Sequence, residues 1–181
     1  VNDILDMNKL QSGESVNQDI TFDIADMLRT VNEAAQIKAD EKQIEYIVEW
    51  EKSSYTYPYL VGNPLYTERI LSILADNAIK FSHIGSTISV NCNEEQLDDK
   101  NVICEFVCKD HGIGMSKEFT EHAFELFSQE NESSRTGYEG TGLGLAIAKQ
   151  LTDRLHGTIC LESEKGVGTT ATVRIPFKIG T

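Results

Sequence analysis

The stretch Glu139-Gly-Thr-Gly-Leu-Gly-Leu-Ala-Ile-Ala-Lys149 constrains this chain more than any other. A glycine-rich turn runs straight into an apolar helix, which brings backbone N–H groups and the positive end of a helix dipole to one place where an anion can approach closely. By itself the pattern also fits a tight turn with close helix packing, in which Gly140, Gly142 and Gly144 serve geometry alone. What separates the two readings is whether the chain also supplies an oxygen ligand for a divalent metal, a reader for a base, and a lid.

Length and composition narrow the setting. The 181 residues suit one domain, or one domain plus a fragment, with enough chain to bury a real core. Apolar residues make up 40% and charged residues 25%, as in ordinary globular folds. The net charge of −13, from 29 acidic and 16 basic residues, argues against nucleic acid or an anionic membrane surface as partner. A small polyphosphate stays compatible, because local dipoles and Mg²⁺ outweigh a global field at short range. No apolar run approaches the ~20 residues that span a bilayer. Cys92, Cys104, Cys108 and Cys160 form no Cys-x-x-Cys pair and sit in strand-like apolar runs, so they read as small core residues of a reducing compartment.

The order of elements follows from periodicity and caps. Val1, Ile4, Leu5 and Leu10 form an apolar stripe at helical spacing, too short to bury itself, and residues 1–14 read as the end of a longer helix with Gly13 as its stop. Residues 15–181 read as the domain proper. A short strand over Gln18–Phe22 precedes a helix capped by Asp23 and running to about Ala39, with Ile24, Met27, Leu28, Val31, Ala34, Ala35 and Ile37 on or near its buried face. Ile44–Trp50 alternates as a half-buried strand, and Tyr55–Val61 is extended. Asn63 as N-cap and Pro64 at the first helical position start a helix to about Phe81. Thr87–Asn93 and Val102–Lys109 pair across an acidic loop, Glu94–Lys100. A short helix, Lys117–Phe127, leads into the polar segment Ser128–Gly140, read as a flexible loop. The opening helix runs to about Leu155 with Gly157 ending it, and Thr158–Ser163 and Thr169–Phe177 form a last strand pair. This is an α/β two-layer sandwich, one mixed sheet with helices packed on one face.

Two clusters carry chemistry. Asn77 lies mid-helix in an apolar stretch, and Ile73, Asn77, Lys80 and Phe81 share a face. That face offers an amide oxygen suited to Mg²⁺, an ammonium suited to phosphate, and a ring suited to a nucleobase. The same residues also fit a core-bonded Asn, a snorkelling Lys and a core Phe. Asp110 ends a strand and opens the turn Gly112-Ile-Gly114. Its carboxylate can accept from an exocyclic amine such as adenine N6, or it can simply close an Asx-turn.

Taken together, Asn77-Ala-Ile-Lys-Phe81, Asp110-His-Gly-Ile-Gly-Met115, Phe124-Glu-Leu-Phe127 and Gly140-Thr-Gly-Leu-Gly-Leu145 resemble, in order and spacing, the asparagine box, first glycine box, phenylalanine box and second glycine box of the catalytic, ATP-binding domain of sensor histidine kinases. Gly166-Val-Gly-Thr169 resembles the closing glycine-threonine motif, and Asn2–Leu10 resembles the end of the dimerisation and phosphoacceptor helix that precedes this domain. The resemblance implies the Bergerat fold, a member of the GHKL ATPases, with ATP and Mg²⁺ bound. Asn77 would hold the metal, and Lys80 and Arg135 would meet the phosphates. Phe81, Asp110, Gly112, Gly114 and Thr169 would surround the adenine. Gly140, Thr141, Gly142, Gly144 and Leu145 would cradle the phosphates, under a flexible ATP lid spanning Ser128–Glu139.

The chain departs from the pattern at Ile73, where the family usually places Asn or Glu one turn before the metal-binding Asn. Asn63 and Tyr66 stand in for the more usual Asp and Arg, and His111 is uncommon in the first glycine box. Relatives of this fold that hydrolyse ATP use a carboxylate at the Ile73 position, so slow hydrolysis is expected. Transfer to a histidine depends less on a base. None of His83, His111, His122 and His156 is followed by Asp or Glu as the family's acceptor is, which places the acceptor on an upstream domain. The resemblance further implies a response-regulator receiver as downstream partner, a homodimeric full-length protein, and a cytoplasmic location in a membrane-bound sensor. This chain alone would be monomeric. The alternatives are a degenerate nucleotide-binding module and another ATPase of the same fold.

Overall fold

The computed structural model describes residues 19–50, 55–125 and 143–181. Their elements run β1 (Ile20–Asp23), α1 (Ile24–Glu41), β2 (Glu45–Val48), β3 (Tyr59–Gly62), α2 (Pro64–Lys80), β4 (Thr87–Gln96), β5 (Asn101–Asp110), α3 (Lys117–Glu121), α4 (Gly144–Arg154), β6 (Thr158–Glu164) and β7 (Gly168–Ile179). The expected first helix, the expected lid, and Leu126 and Phe127 of the phenylalanine box lie outside the described residues.

The helices begin where local chemistry dictates. Asp23 Oδ1 accepts from the Asp26 N–H at 3.2 Å, and Asn63 Oδ1 accepts from the Tyr66 N–H at 3.1 Å with Pro64 in the first turn. Each side chain satisfies one of the N–H groups that a helix start leaves without a partner.

The seven described strands form one mixed sheet in the order β1-β3-β7-β5-β4-β2, with β6 also on β7. The long β7 lies beside β5 along one edge, and its other edge meets first β6 and then β3. Only β2 and β4 run parallel among these pairs. Strand alternation decides which side the helices cover. On β5, Val102, Cys104, Phe106, Cys108 and Asp110 are buried, while Asn101, Ile103, Glu105 and Val107 are half-buried and Lys109 is exposed. The period of two therefore carries Asp110, at the strand's end, onto the buried face. Helices α1, α2 and α4 pack together on that face, giving the two-layer sandwich expected.

Several local expectations need correction. Strand β4 continues through Glu94, Glu95 and Gln96, so the acidic loop shrinks to residues 97–100. Glu94 Oε1 accepts from the Tyr57 N–H, and Glu95 pairs with Arg174 of β7, so distant partners hold acids that read as solvated loop. Ile37 is 63% exposed and Ala34 is also exposed, because the stripe α1 buries follows Met27, Leu28, Val31, Ala35 and Ala39. Cys160 is exposed, unlike the three other cysteines, because it faces the uncovered side of the sheet opposite Thr172. Among the described residues 117–125 the α-helical part is Lys117–Glu121.

Candidate functional site

The site forms where α2 ends. Asn77 is half-buried on α2, and its carboxamide has no hydrogen-bond partner among the described residues. Its Oδ1 lies 4.0 Å from where a Cβ on Gly144 would sit, and Ile73 Cγ2 lies 3.5 Å from the same point. The first residue of α4 thus opens over the face of α2 that carries Ile73 and Asn77. A core-bonded amide would have an internal partner; this one presents its oxygen to the start of another helix. Lys80 follows in the last turn of α2, with Nζ 5.5 Å from the centroid of the Phe81 ring, close enough for a cation–π contact.

The second wall is the turn after β5. Asp110 Oδ1 accepts from the Gly112 N–H at 2.9 Å and from the Thr169 N–H at 3.1 Å. Both bonds use the same carboxylate oxygen. Burial raises the Asp110 pKa above the ordinary carboxylate value, and the Gly112 and Thr169 N–H bonds and nearby His111 pull against that rise. The His111 Nδ1–H donates to the Thr87 carbonyl at 3.0 Å, which ties the ring to β4.

Glycine is demanded here by close backbone approach. A Cβ on Gly112 would run into the Phe81 carbonyl oxygen, and one on Gly114, at φ +67°, into the Glu164 carbonyl. The Ile113 N–H donates to Phe81 O at 3.0 Å, and the Gly166 N–H donates to Ile113 O at 2.7 Å. The turn is therefore clamped between the end of α2 and the β6–β7 connection. Ser163, which the sequence did not single out, completes the clamp: its Oγ accepts from the Met115 N–H at 2.8 Å, bonds Gly168 O at 3.0 Å, and lies 2.8 Å from Thr169 Oγ1. No local pattern marks a serine whose partner is 48 residues earlier in the chain.

Of the residues expected at a site, Asn77, Lys80, Phe81, Asp110, Gly112, Gly114 and Thr169 surround the end of α2 and the turn it seats, and Gly144 faces Asn77. Leu145 is half-buried and packs on the core. Arg135, Gly140, Thr141 and Gly142 lie outside the described residues. Ile73 is 5% exposed, a buried apolar neighbour of Asn77 with no polar atom to offer. No group of three or more His, Cys, Asp or Glu that could hold a metal occurs among the described residues.

Comparison with known proteins adds to this geometry. Residues 62–179 match the family described as "Histidine kinase-, DNA gyrase B-, and HSP90-like ATPase". The chain is 34% identical over 169 residues to the sensor histidine kinase GacS of Pseudomonas protegens, covering 93% of this chain and 18% of the relative. It is 33% identical to the autoinducer 2 sensor kinase/phosphatase LuxQ of Vibrio harveyi, over 98% of this chain and 20% of that protein. The chain therefore spans about a fifth of the length of these curated relatives. Among solved structures, full-length ShkA in complex with AMPPNP superposes with a TM-score of 0.79 at 27% identity, covering 99% of this chain and 35% of that one.

Proposed function

This chain belongs to the family of histidine kinase-, DNA gyrase B- and HSP90-like ATPases, and from that membership we propose that it is the ATP-binding catalytic domain of a sensor histidine kinase, delivering the γ-phosphoryl group to a histidine on an upstream domain. The observation that carries the proposal is the Asn77 carboxamide, partnerless among the described residues and aimed at Gly144, with a buried carboxylate on the neighbouring turn. Asp110 commits one oxygen to the protein and leaves the other to accept from adenine N6. Phe81 flanks the base, and Thr169 sits beside it through its link to Asp110. Lys80 and Arg135 meet the phosphates, and the turn Gly140, Thr141, Gly142, Gly144 and Leu145 cradles them with backbone N–H groups.

The residues present fit Mg²⁺. A carboxamide oxygen is a hard ligand, and Mg²⁺ in phosphate sites keeps several waters and takes part of its shell from substrate phosphates, so Asn77 would supply a protein oxygen to it. Mg²⁺ held there would supply charge neutralisation at the phosphates. Beside it Ile73 offers neither a base nor a hydrogen bond, so this site does little to activate water. An imidazole brought by the upstream domain is already a nucleophile when neutral. Hydrolysis is therefore slow relative to phosphoryl transfer. Residues 1–14 end the dimerising helix, residues 15–181 form the catalytic domain, a receiver domain takes the phosphoryl group onward, and the whole protein is a homodimeric sensor with this domain in the cytoplasm. No described helix is long and apolar enough to cross a membrane.

Gly144→Ala tests the site. Among the described residues a Cβ there meets only ordinary contacts, so the variant is expected to keep its fold, with a melting temperature no lower than the wild type's. The same methyl fills the space between α4 and Asn77, and weakens Mg·ATP binding by about tenfold or more, a loss of ~1.4 kcal/mol. Titration calorimetry on the wild-type chain and the variant, with thermal melts alongside, reads both effects. No binding by the wild-type chain at millimolar nucleotide refutes the reading. So does rapid multi-turnover phosphate release, and so does an absence of phosphohistidine in the longer protein that carries the upstream domain.

A further inference from the structure

Lys42 lies outside every motif named above, at the C-cap of α1. Its ammonium crosses to α2 and donates to Ile79 O at 2.9 Å and to Lys80 O at 2.8 Å. These are last-turn carbonyls, of the kind that a helix end leaves without partners inside the helix, and the negative end of the dipole points at the same place. The two helix ends are stitched further by backbone bonds: the Gly85 N–H donates to Gln43 O at 2.8 Å, and the Glu45 N–H donates to Ser86 O at 2.9 Å. Directly beyond the carbonyls that Lys42 holds stands Phe81, whose own carbonyl receives the Ile113 N–H and leaves no room for a Cβ on Gly112. A single ammonium from α1 thus fixes the segment on which the Asp110 turn is seated.

We infer that Lys42 is a positioning residue for the nucleotide site, setting the last turn of α2 so that Phe81 can hold the Asp110–Gly114 turn in its binding geometry. The inference rests on the proposed function for its ligand and on the hydrogen bonds alone for the clamp. Its reach is specific. Lys38, one turn earlier on α1, also meets α2, through Asp76 at 2.9 Å, but both side chains of that pair are exposed and it holds a side chain five residues before Phe81, not the carbonyls that adjoin it. A solvent-screened pair of that kind contributes little. Lys42 is partly desolvated, which lowers its pKa, and it donates to two backbone carbonyls at the end of α2.

The experiment compares Lys42→Met, Lys42→Arg and Lys38→Met in the 181-residue chain, reading Mg·ATP affinity together with residue-resolved amide hydrogen exchange. Lys42→Met is expected to weaken Mg·ATP about tenfold, as loss of a charged hydrogen bond implies. It is also expected to speed exchange at the Ile113 and Gly166 N–H groups, about tenfold on the same scale, while Val173 at the sheet's centre keeps its protection. Lys42→Arg, which retains a charged donor, restores most of both, and Lys38→Met changes neither. Wild-type affinity with a protected Ile113 in Lys42→Met overturns the inference. So does exchange that quickens equally at Val173, because Lys42 would then support stability everywhere rather than the site. If the wild-type chain binds no Mg·ATP, the proposed function fails, and the exchange pattern at Ile113 still decides the clamp.

Discussion

Asp110 is set against itself. Its carboxylate sits 8% exposed at the end of β5, where burial disfavours the charge, and it is retained there by two N–H donors that both choose Oδ1. Asparagine would keep an oxygen for those two donors and remove the charge, but it would put an NH₂ group where the ligand needs an acceptor. Asp110→Asn is therefore expected to be at least as stable as the wild type at neutral pH, and to bind Mg·ATP at least about tenfold more weakly. The pH dependence has a definite sign. Burial raises the folded pKa above the unfolded value, so the folded protein binds the proton more tightly. The stability this provides is fully present below the unfolded carboxylate pKa and is lost as pH rises through the folded one. Urea unfolding of both proteins across that window checks it: a wild-type curve falling relative to the Asn variant supports this account, and parallel curves refute it.

Helix ends show where an element's boundary is local and where it is not. Both α1 and α4 finish in the same two-bond arrangement. In α1 the Ile44 N–H reaches Ala39 O at 2.9 Å and the Gln43 N–H reaches Asp40 O at 3.1 Å; in α4 the Gly157 N–H reaches Thr152 O at 2.9 Å and the His156 N–H reaches Asp153 O at 3.1 Å. This Schellman arrangement needs a left-handed residue, a place glycine usually takes. Here Gln43 takes it at φ +60° and His156 at φ +61°. Gly157, the glycine that the sequence offers as the stop, instead lets the chain pass against Arg174 O, where a Cβ would collide. Gln43→Gly is accordingly expected to raise stability by about 1 kcal/mol, the size of the left-handed penalty for a side chain, and thermal melting reads it directly; a lowered melting temperature would refute it. The starts of α1 and α2 were legible because Asp23 and Asn63 act within three residues of themselves. The extent of β4 was not, because Glu94 and Glu95 are carried by pairing with Cys104 and Ile103 of β5, and their carboxylates, which read as solvated loop, are met by Tyr57 and Arg174 far along the chain.

Across the whole molecule, the site's members were legible by residue type and spacing, but their assembly was not. Nothing near Asp110 in sequence announces that Thr169 will donate to it or that Ser163 will brace the turn, since the pairing of β6 with β7 and of β7 with β5 brings them there. The same sheet leaves the core in two clusters, one under α4 and the first half of α2, the other under the end of α1 and β2. Between them lies a pocket of ≈ 40 Å³, partly open to solvent and bordered by Leu28, Val31, Leu71, Leu74, Ala75 and Phe106 among others. It meets α2 on Leu71, Leu74 and Ala75, a different face from the one that carries Ile73 and Asn77. A methylene added there gains by burying apolar surface, about 0.8 kcal/mol at most. Val31, 7% exposed on α1, is the residue to enlarge. Val31→Ile adds one methylene toward the pocket and is expected to raise stability by up to about 0.8 kcal/mol, with Mg·ATP affinity unchanged, because the pocket and the site use separate faces of one helix. Chemical denaturation and nucleotide titration on the same sample decide it. A stabilised variant with altered affinity would mean that the two clusters move together through α2, and that the site's geometry depends on the packing of the far half of the core.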